Sequence, residues 1–279
     1  MTEREMDQHS STLYDKIGAA YLDAQKIFGN PRDDWAKDFV RTPGQLGCAL
    51  TKCKILEIGC GNGSDIAFFD RRGHDVYGID ASRFMIEQAQ KNVNRPDRLH
   101  CGKMEELDDL RQSHAGMFTQ GKWGDLDYAF ARYSLHYAQG DMDVVWCAVH
   151  SSLKNNGVFA FVVPNPLADI PFTDTGDYAT AKSVTVKIFN EQIEIKYPFR
   201  KIDALFTPTF YELFRVRQME YYPDEYHGAS QIPAAIAVVA QKPHAGTSMF
   251  SKCNTDACIE TQLVRAFKQR QRFLRVDTI

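Results

Sequence analysis

Four residues between positions 57 and 80 have the chemical types and the spacing of a ligand pocket. Glu57 lies inside an apolar run, and Gly59 and Gly61 follow it in the stretch KILEIGCGNG. Asp80 ends the later stretch VYGID. Glycine lets the backbone turn sharply and approach a ligand with no Cβ in the way, and a carboxylate can accept hydrogen bonds from both hydroxyls of a ribose. The set therefore indicates a pocket for an adenosine.

Two strands and a helix must hold these residues in position. The apolar residues of KILEI predict a strand that is buried on both faces. A helix is predicted from Ser64 to Arg72, and a second strand from Asp75 to Ile79. Ligands of open α/β sheets bind at the carboxyl ends of the strands, where Asp80 falls.

The glycine pattern separates two classes of nucleotide site. A dinucleotide site has G-x-G-x-x-G, which seats a pyrophosphate on a helix N-terminus, whereas this chain has E-x-G-x-G-x-G. On these residues, the chain from about Tyr14 to about Lys242 resembles the class I S-adenosylmethionine-dependent methyltransferases, in particular the small-molecule branch related to ubiquinone-biosynthesis methyltransferases. The resemblance implies an α/β fold, a Rossmann-like doubly wound sheet of seven strands with an antiparallel last strand, and S-adenosylmethionine as the cofactor.

The resemblance also assigns a part of the cofactor to each of these positions. The glycine loop, with Glu57, would lie under the methionine part, and Asp80 would bind the ribose. Ala81 and Met85, from DASRFM, would pack on the adenine.

A further stretch, CGKMEEL, matches the family segment that contacts the adenine edge. The family usually has Asp where this chain has Lys103, and an ammonium group has no acceptor for the adenine amine. Met104 can offer its backbone N–H to the ring, and Glu105 can supply the missing carboxylate. Both are therefore predicted cofactor contacts.

The segment RYSLHYAQG follows the predicted fourth strand, Leu126 to Ala131. In the resembling family this strand end lies beside the transferred methyl group. Arg132 is therefore a predicted cofactor contact, and Tyr133 and His136 are predicted catalytic residues. A histidine, with an ordinary pKa of about 6.5, can serve as a general base, and a tyrosine can orient the acceptor. Packing roles for both residues remain the alternative.

Two helices are predicted ahead of the first strand, from Tyr14 to Phe28 and from Pro31 to Val40. The resemblance makes segment 1–50 a lid over the cofactor. Tyr14, Tyr21 and Arg41 are then candidate contacts for the cofactor carboxylate, which a guanidinium binds well. The tyrosines fit the apolar stripe of an amphipathic helix equally well.

About thirty residues separate the predicted fifth strand, Gly157 to Val163, from the next helix. Apolar residues alternate with polar ones from Val184 to Ile188 and again from Ile193 to Tyr197, which predicts a β-hairpin. An insertion at this point lies on the carboxyl face of the sheet, so segment 165–200 is predicted to cover the acceptor. Its candidate contacts, for which packing is the alternative, are Pro171, Phe172, Tyr178, Tyr197 and Phe199.

The rest of the predicted methyltransferase domain, 1–242, has a helix near Ile202 to Leu213 and strands from Phe214 to Tyr222 and from Ala234 to Gln241. The loop between these strands contains Glu225 and His227, which are candidate substrate contacts. Segment 243–279 is predicted to be a linker and a basic amphipathic helix, Thr255 to Arg275, that docks on the domain or contacts a partner.

The composition fits one large α/β domain: 279 residues, of which 44% are hydrophobic and 25% charged. A net charge of −3 gives no general attraction to nucleic acid, so none is expected as a partner. The start MTEREMDQHSS has no signal-peptide core and no apolar run is long enough to span a membrane, so a cytoplasmic location is expected. The cysteines show no zinc-ligand spacing, so no metal and reduced thiols are expected.

Three functions fit the sequence. The favoured one is methyl transfer to a small-molecule acceptor by in-line displacement, which requires mainly alignment and exclusion of water. A methyltransferase for RNA, DNA or protein is less favoured, because ARYSLHY lacks an Asn-Pro-Pro-Tyr type motif. The third is an S-adenosylmethionine-consuming cyclase or lyase, or a regulator that binds S-adenosylmethionine, because binding motifs do not define a reaction. The sequence determines neither the acceptor nor the oligomeric state.

Overall fold

The computed structural model describes residues 3–28, 31–47, 52–113, 126–222 and 232–244. Those up to Pro243 belong to one compact unit. The predicted helix from Thr255 to Arg275, and the predicted contacts Glu225 and His227, lie outside the described residues. Their roles, and the predicted division of the chain at residue 242, stay predictions.

Helices and strands alternate through most of the described chain. The helices are α1 (Glu3–Ile27), α2 (Pro31–Gly47), α3 (Ser64–Asp70), α4 (Arg83–Gln90), α5 (Leu107–Ser113), α6 (Met142–Ser152), α7 (Pro166–Asp169), α8 (Ile202–Leu205) and α9 (Pro208–Leu213). The strands are β1 (Lys54–Ile58), β2 (Asp75–Asp80), β3 (Leu99–Cys101), β4 (Leu126–Arg132), β5 (Leu153–Pro164), β6 (Ser183–Ile188), β7 (Ile193–Pro198), β8 (Arg215–Tyr222) and β9 (Ala235–Gln241).

Seven strands form one sheet in the order β3-β2-β1-β4-β5-β9-β8. The pairs among β1 to β5 are parallel, and β9 is antiparallel to both β5 and β8. This confirms the predicted doubly wound sheet with an antiparallel last strand. The strand order reverses direction between β1 and β4, and ligands of open α/β sheets bind outside the carboxyl ends of the strands at such a point.

Each face of the sheet has its own apolar core. Ile55 of β1 packs in a cluster with Phe69 on one face, and its neighbour Leu56 packs with Trp146 and Phe161 on the other. These side chains are at most 1% exposed. Full burial of a large apolar side chain contributes about 1.5–3 kcal/mol, so the two cores stabilise the strands that carry the site.

Hydrogen bonds attach helix α1 to the segment that follows β2. The Asp15 carboxylate of α1 accepts hydrogen bonds from the Ser82 hydroxyl at 2.6 Å and from the Phe84 N–H at 3.1 Å. Ser82 is also the N-cap of α4, since its hydroxyl accepts from the Met85 N–H. Gly18 lets the two helices approach closely, because a Cβ there would overlap the Phe84 ring.

Strands β6 and β7 form a separate two-stranded hairpin. Phe189, Asn190 and Glu191 take positive φ angles in its turn. The hairpin packs on α1, where Ala24 joins a cluster with Ile195. This confirms the predicted hairpin insertion after the fifth strand.

The prediction of one helix from Ile202 to Leu213 is wrong. The structure has two short helices there, α8 and α9, joined at Thr207. Pro208 has no N–H to continue a helix, and it favours an extended conformation in the residue before it. Thr207 adopts that conformation and caps α9 by accepting a hydrogen bond from the Phe210 N–H.

Candidate active site

A cavity of about 790 Å³ lies at the carboxyl ends of the strands, a volume in the usual range for small-molecule sites. Helices α1 and α2, the ends of β1, β2 and β4, helix α7 and the hairpin all contribute to its wall. Its lining includes Tyr14, Tyr21, Phe28, Arg32, Glu57, Gly59, Gly61, Asp80, Ala81, Met85, Met104, Glu105, Arg132, Tyr133, His136, Asp169, Phe172, Phe189 and Tyr197.

The glycine loop after β1 depends on positive φ angles. Gly59 has φ 72°, and a Cβ there would lie 2.8 Å from the Ser134 hydroxyl oxygen, so a larger residue does not fit. Gly61 has φ 51° and faces open space within 4 Å, and its N–H donates to Asp80 Oδ2 at 2.8 Å. Gly59 therefore allows the loop to pack closely against Ser134, and Gly61 leaves room for a ligand.

Asp80, at the end of β2, is held by two backbone donors. Gly61 donates to Oδ2 at 2.8 Å and Ser82 donates to Oδ1 at 2.9 Å. Burial raises the pKa of this carboxyl group, and the two donors oppose that shift. Each carboxylate oxygen keeps a further lone-pair site, so the fixed group can still accept two hydroxyls.

Glu57 presents a buried carboxylate oxygen that lacks a hydrogen-bond partner among the described residues. The residue is 2% exposed, and the atom is Oε2. Burial, reinforced by nearby Asp65, raises the pKa of Glu57 well above its usual range. Buried polar atoms are rarely left unpaired, so an unpaired carboxylate oxygen in a cavity wall fits a cationic or N–H-bearing ligand.

Arg41 belongs to an ion-pair network behind this wall and not to the wall itself. Asp65, which is fully buried, accepts from Arg41 Nε at 2.8 Å and from Arg132 Nε at 2.6 Å. Arg132 also pairs with Asp33 of α2. Burial alone would lower the pKa of Arg132, but Asp65 and Asp33 raise it. Arg41 pairs with Asp65, packs over the Phe68 ring at 4.3 Å and is absent from the cavity wall.

The structure thus places Arg41 behind the site, unlike the predicted contact with a cofactor carboxylate. The physical reason is Asp65, a fully buried carboxylate whose charge needs partners. Sequence reasoning missed Asp65, although an acidic residue in the first turn of a helix is a recognisable signal.

Met104 and Glu105 lie in a short 3₁₀ turn, Met104–Glu106, after β3. Glu105 Oε1 accepts a hydrogen bond from the Gln139 N–H in the loop after β4. Burial raises the pKa of Glu105. One oxygen of this carboxylate therefore holds two loops together, and the predicted adenine contacts at both residues stay predictions.

The end of β4 presents two unpaired polar atoms. The Tyr133 hydroxyl and His136 Nδ1 are buried and lack a hydrogen-bond partner in the described ranges. Tyr133 has φ 51°, a strained value for a residue with a side chain, and its N–H donates to the Val162 carbonyl at 2.9 Å. Strained residues concentrate at functional sites, which is consistent with the predicted role of Tyr133.

His136 is a weaker base than its residue type suggests. Burial, helped by the charge of Arg200, lowers its pKa to about 3. Its ring lies 4.1 Å from the Tyr137 ring and 4.6 Å from the Tyr197 ring, measured between centroids. The imidazole is therefore neutral at pH 7 and a poor proton acceptor, while its Nδ1 can still hydrogen-bond a ligand.

The tyrosines of α1 both pack and line the cavity. The Tyr14 hydroxyl lies 3.0 Å from the Tyr137 hydroxyl, and burial raises the pKa of Tyr14 well above its usual range. Tyr21 packs edge-on against Tyr14 and Phe189, with ring centroids 5.4 Å away in each case. Helix α1 and the hairpin therefore share an aromatic wall.

Asp169 is a titratable residue that lines the cavity beside this aromatic wall. Sequence reasoning did not identify it as a site residue. The Tyr197 hydroxyl of β7 donates to Asp169 Oδ2 at 3.1 Å. Burial raises the pKa of Asp169 to about 7, against the opposing effects of Tyr197 and Arg32. The available signal was Asn165-Pro166, an N-cap followed by proline, which predicts the short helix α7 that ends at Asp169.

The described cysteines differ in their bonding. Cys53 is disulfide-bonded, so the expectation of reduced thiols is wrong for this residue. Cys60, Cys101 and Cys147 are free thiols. Within the described ranges, no three His, Cys, Asp or Glu side chains are grouped as metal ligands, and no helix has both the length and the apolar character to cross a membrane.

Comparisons with known proteins agree with this geometry. Residues 56–159 match a family model described as a methyltransferase domain. An uncharacterised protein of Haemophilus influenzae is 26% identical over 170 residues, which cover 56% of this chain and 59% of that protein. A magnesium-protoporphyrin O-methyltransferase of Rhodobacter capsulatus is 33% identical over 88 residues, 32% of this chain and 35% of that protein. The matches thus span less than two thirds of either relative.

The fold also matches solved structures. A 1,6-didemethyltoxoflavin-N1-methyltransferase of Burkholderia thailandensis, with 1,6-didemethyltoxoflavin and S-adenosylhomocysteine bound, has a TM-score of 0.51 at 16% identity, over 85% of this chain and 90% of that one. Residues 56–159 thus match a methyltransferase domain, and the described chain shares the fold of a solved methyltransferase. This agrees with the predicted methyltransferase class and with S-adenosylmethionine as its cofactor.

Proposed function

We propose that this protein transfers a methyl group from S-adenosylmethionine to a small-molecule acceptor by in-line displacement. The observation that carries the proposal is one cavity with two kinds of wall. The cofactor half is formed by Glu57, Gly61 and Asp80, and the acceptor half by the aromatic residues of α1 and the hairpin together with Asp169.

The cofactor half fits the polar groups of S-adenosylmethionine. Asp80 can accept both ribose hydroxyls, since its two oxygens are already oriented by Gly61 and Ser82. The unpaired Glu57 Oε2 matches the ammonium group of the methionine part. Gly61 leaves the space in which that part would lie.

The bound cofactor would supply an activated methyl on a sulfonium, so the protein has mainly to align the acceptor and keep water away. The Tyr133 hydroxyl and His136 Nδ1 are the unpaired polar groups at the end of β4 that can orient it. The hairpin packs on α1 and lines the same cavity, so it would cover an acceptor bound there. A covered cavity favours a small acceptor over an RNA, DNA or protein chain.

The test is a product assay with methyl-labelled S-adenosylmethionine and a cell extract, analysed by mass spectrometry. We expect a metabolite that acquires the label. Asp80→Asn should lower its yield, whereas Asp97→Asn should not, because Asp97 is an exposed partner of Arg95 outside the cavity. Release of methylthioadenosine without a methylated product would contradict methyl transfer and indicate consumption of the cofactor. Labelled protein or nucleic acid would contradict the small acceptor.

A further inference from the structure

The acceptor half of the cavity contains a cluster of aromatic side chains beside charged residues of α2 and the hairpin. Tyr21 of α1 lies edge-on to Phe189 at 5.4 Å, and Phe28 stacks on Phe189 at 6.5 Å between ring centroids. Tyr14 and Phe172 join the same apolar cluster. Aromatic rings favour offset or edge-on contact with other flat rings, so this wall suits a planar, largely apolar molecule.

Asp169 provides an anionic group in that wall. Tyr197 donates to its Oδ2 at 3.1 Å, whereas Oδ1 accepts no hydrogen bond within the part of the chain that the structure describes. Asp169 lines the same cavity as Phe172 and Tyr197. A carboxylate with one committed oxygen and one available oxygen suits a ligand with an N–H or O–H group.

Tyr197 connects this carboxylate to the end of β4. Its ring lies 4.6 Å from the His136 ring, and its hydroxyl bonds Asp169. The Tyr197 side chain therefore lies between Asp169 and the end of β4, which borders the cofactor half. His136 is itself too weakly basic to take a proton at neutral pH, since burial lowers its pKa to about 3.

We infer that the acceptor is a planar, mainly apolar molecule with an N–H or O–H group, and that Asp169 is the general base that takes its proton, with Tyr197 as a positioning residue. This inference rests on the proposed methyl transfer. The acceptor nitrogen or oxygen forms the bond to the methyl carbon, and the sulfur–methyl bond breaks with its electron pair left on sulfur. The acceptor proton moves to Asp169 and then to solvent, which leaves the methylated product and S-adenosylhomocysteine.

The electrostatic surroundings of Asp169 support this role. Burial raises its pKa to about 7, and the groups that oppose this shift are Tyr197 on β7 and Arg32 on α2. A general base is most effective when its pKa lies near the working pH. Asp169 meets this condition, and its proton affinity depends on the Tyr197 hydroxyl.

The test uses two matched pairs of probes on protein saturated with S-adenosylhomocysteine: 2-naphthol with 2-methoxynaphthalene, and indole with 1-methylindole. Affinities are measured by calorimetry. We expect the donor-bearing member of at least one pair to bind about tenfold tighter, since a hydrogen bond to a charged group contributes about 1.5–3 kcal/mol. Asp169→Ala and Asp169→Asn should both reduce that ratio, with unchanged affinity for S-adenosylhomocysteine. The matched control is Asp203→Ala, because Asp203 is exposed on α8.

Tyr197→Phe tests the positioning role through a pH profile. Since the Tyr197 hydroxyl lowers the pKa of Asp169, its removal should move the midpoint of the donor-probe affinity to higher pH. An unmoved midpoint would overturn that role. Equal affinities within both pairs, or no binding of any probe while S-adenosylhomocysteine binds, would overturn the acceptor class and leave the proposed methyl transfer standing. Failure to bind S-adenosylhomocysteine or S-adenosylmethionine would overturn the proposed function itself.

Discussion

Replacement of Asp169 by Asn should stabilise the protein at high pH and have little effect at low pH. The pKa of Asp169 is raised by burial from an ordinary 3.8 to about 7 in the folded protein. The folded state therefore binds this proton more tightly than the unfolded state does. The stability that the carboxyl group contributes is fully present below pH 3.8 and is lost as the pH rises through 7.

The size of the effect follows from the shift. A difference of about 3 pKa units corresponds to about 4 kcal/mol as an upper bound. Asp169 is partly exposed at a cavity wall, where solvent screens part of this energy, so we expect about 2 kcal/mol. An amide keeps the shape of the carboxyl group and does not titrate. Asp169→Asn should therefore have a higher free energy of unfolding than the parent above pH 7, and this difference should disappear near pH 4.

Urea unfolding of the parent and the variant at several pH values measures this difference directly. The matched control is Asp97→Asn, since the pKa of Asp97 is lowered by its hydrogen bond to Arg95 and the sign of any pH dependence is reversed. A difference between Asp169→Asn and the parent that is constant from pH 4 to pH 8 would refute the raised pKa. It would also remove the electrostatic support for Asp169 as a base.

Four further outcomes are expected. Gly59→Ala should destabilise the fold by about 1–3 kcal/mol, because its Cβ would overlap Ser134 at a positive φ. Gly61→Ala shares the strain of a positive φ but meets no neighbouring atom, so it should destabilise the fold less than Gly59→Ala and should also weaken S-adenosylmethionine binding; equal unfolding midpoints for the two variants would count against this. Asp80→Ala should cost about 1–3 kcal/mol of S-adenosylmethionine affinity in calorimetry, and unchanged affinity would rule out the ribose contact. His136→Phe should keep the parent's affinity for S-adenosylmethionine. Its pH–rate profile from pH 6 to pH 8 should have the shape of the parent's, because the buried imidazole does not titrate in that range. Loss of an inflection that the parent's profile shows would identify the histidine as the base.

The sheet and the hairpin were predictable because their signals are local. The apolar run before Gly59 and the alternation from Val184 to Tyr197 each depend on neighbouring residues in the sequence. The break at Pro208 was also a local signal, and it outweighs the resemblance from which one helix was expected.

The features of the site that the sequence did not reveal have a tertiary origin. Arg41 has the right chemistry for a carboxylate ligand, but Asp65, which is 24 positions away, binds it instead. The pKa of His136 is lowered by burial that no sequence window shows. Asp169 gains its raised pKa from the same kind of burial, under a hairpin that follows it in the chain.

The bond between Asp15 and Ser82 has a thermodynamic consequence for the two ligands. Ser82 is held by Asp80 through its N–H and by Asp15 of α1 through its hydroxyl. Helix α1 also supplies Tyr14 and Tyr21 to the aromatic wall. One helix therefore borders both halves of the cavity, so a ligand that restricts α1 in one half lowers the entropic cost of binding in the other. Such linkage is reciprocal: whatever factor the cofactor adds to the affinity of the acceptor, the acceptor must add to that of the cofactor.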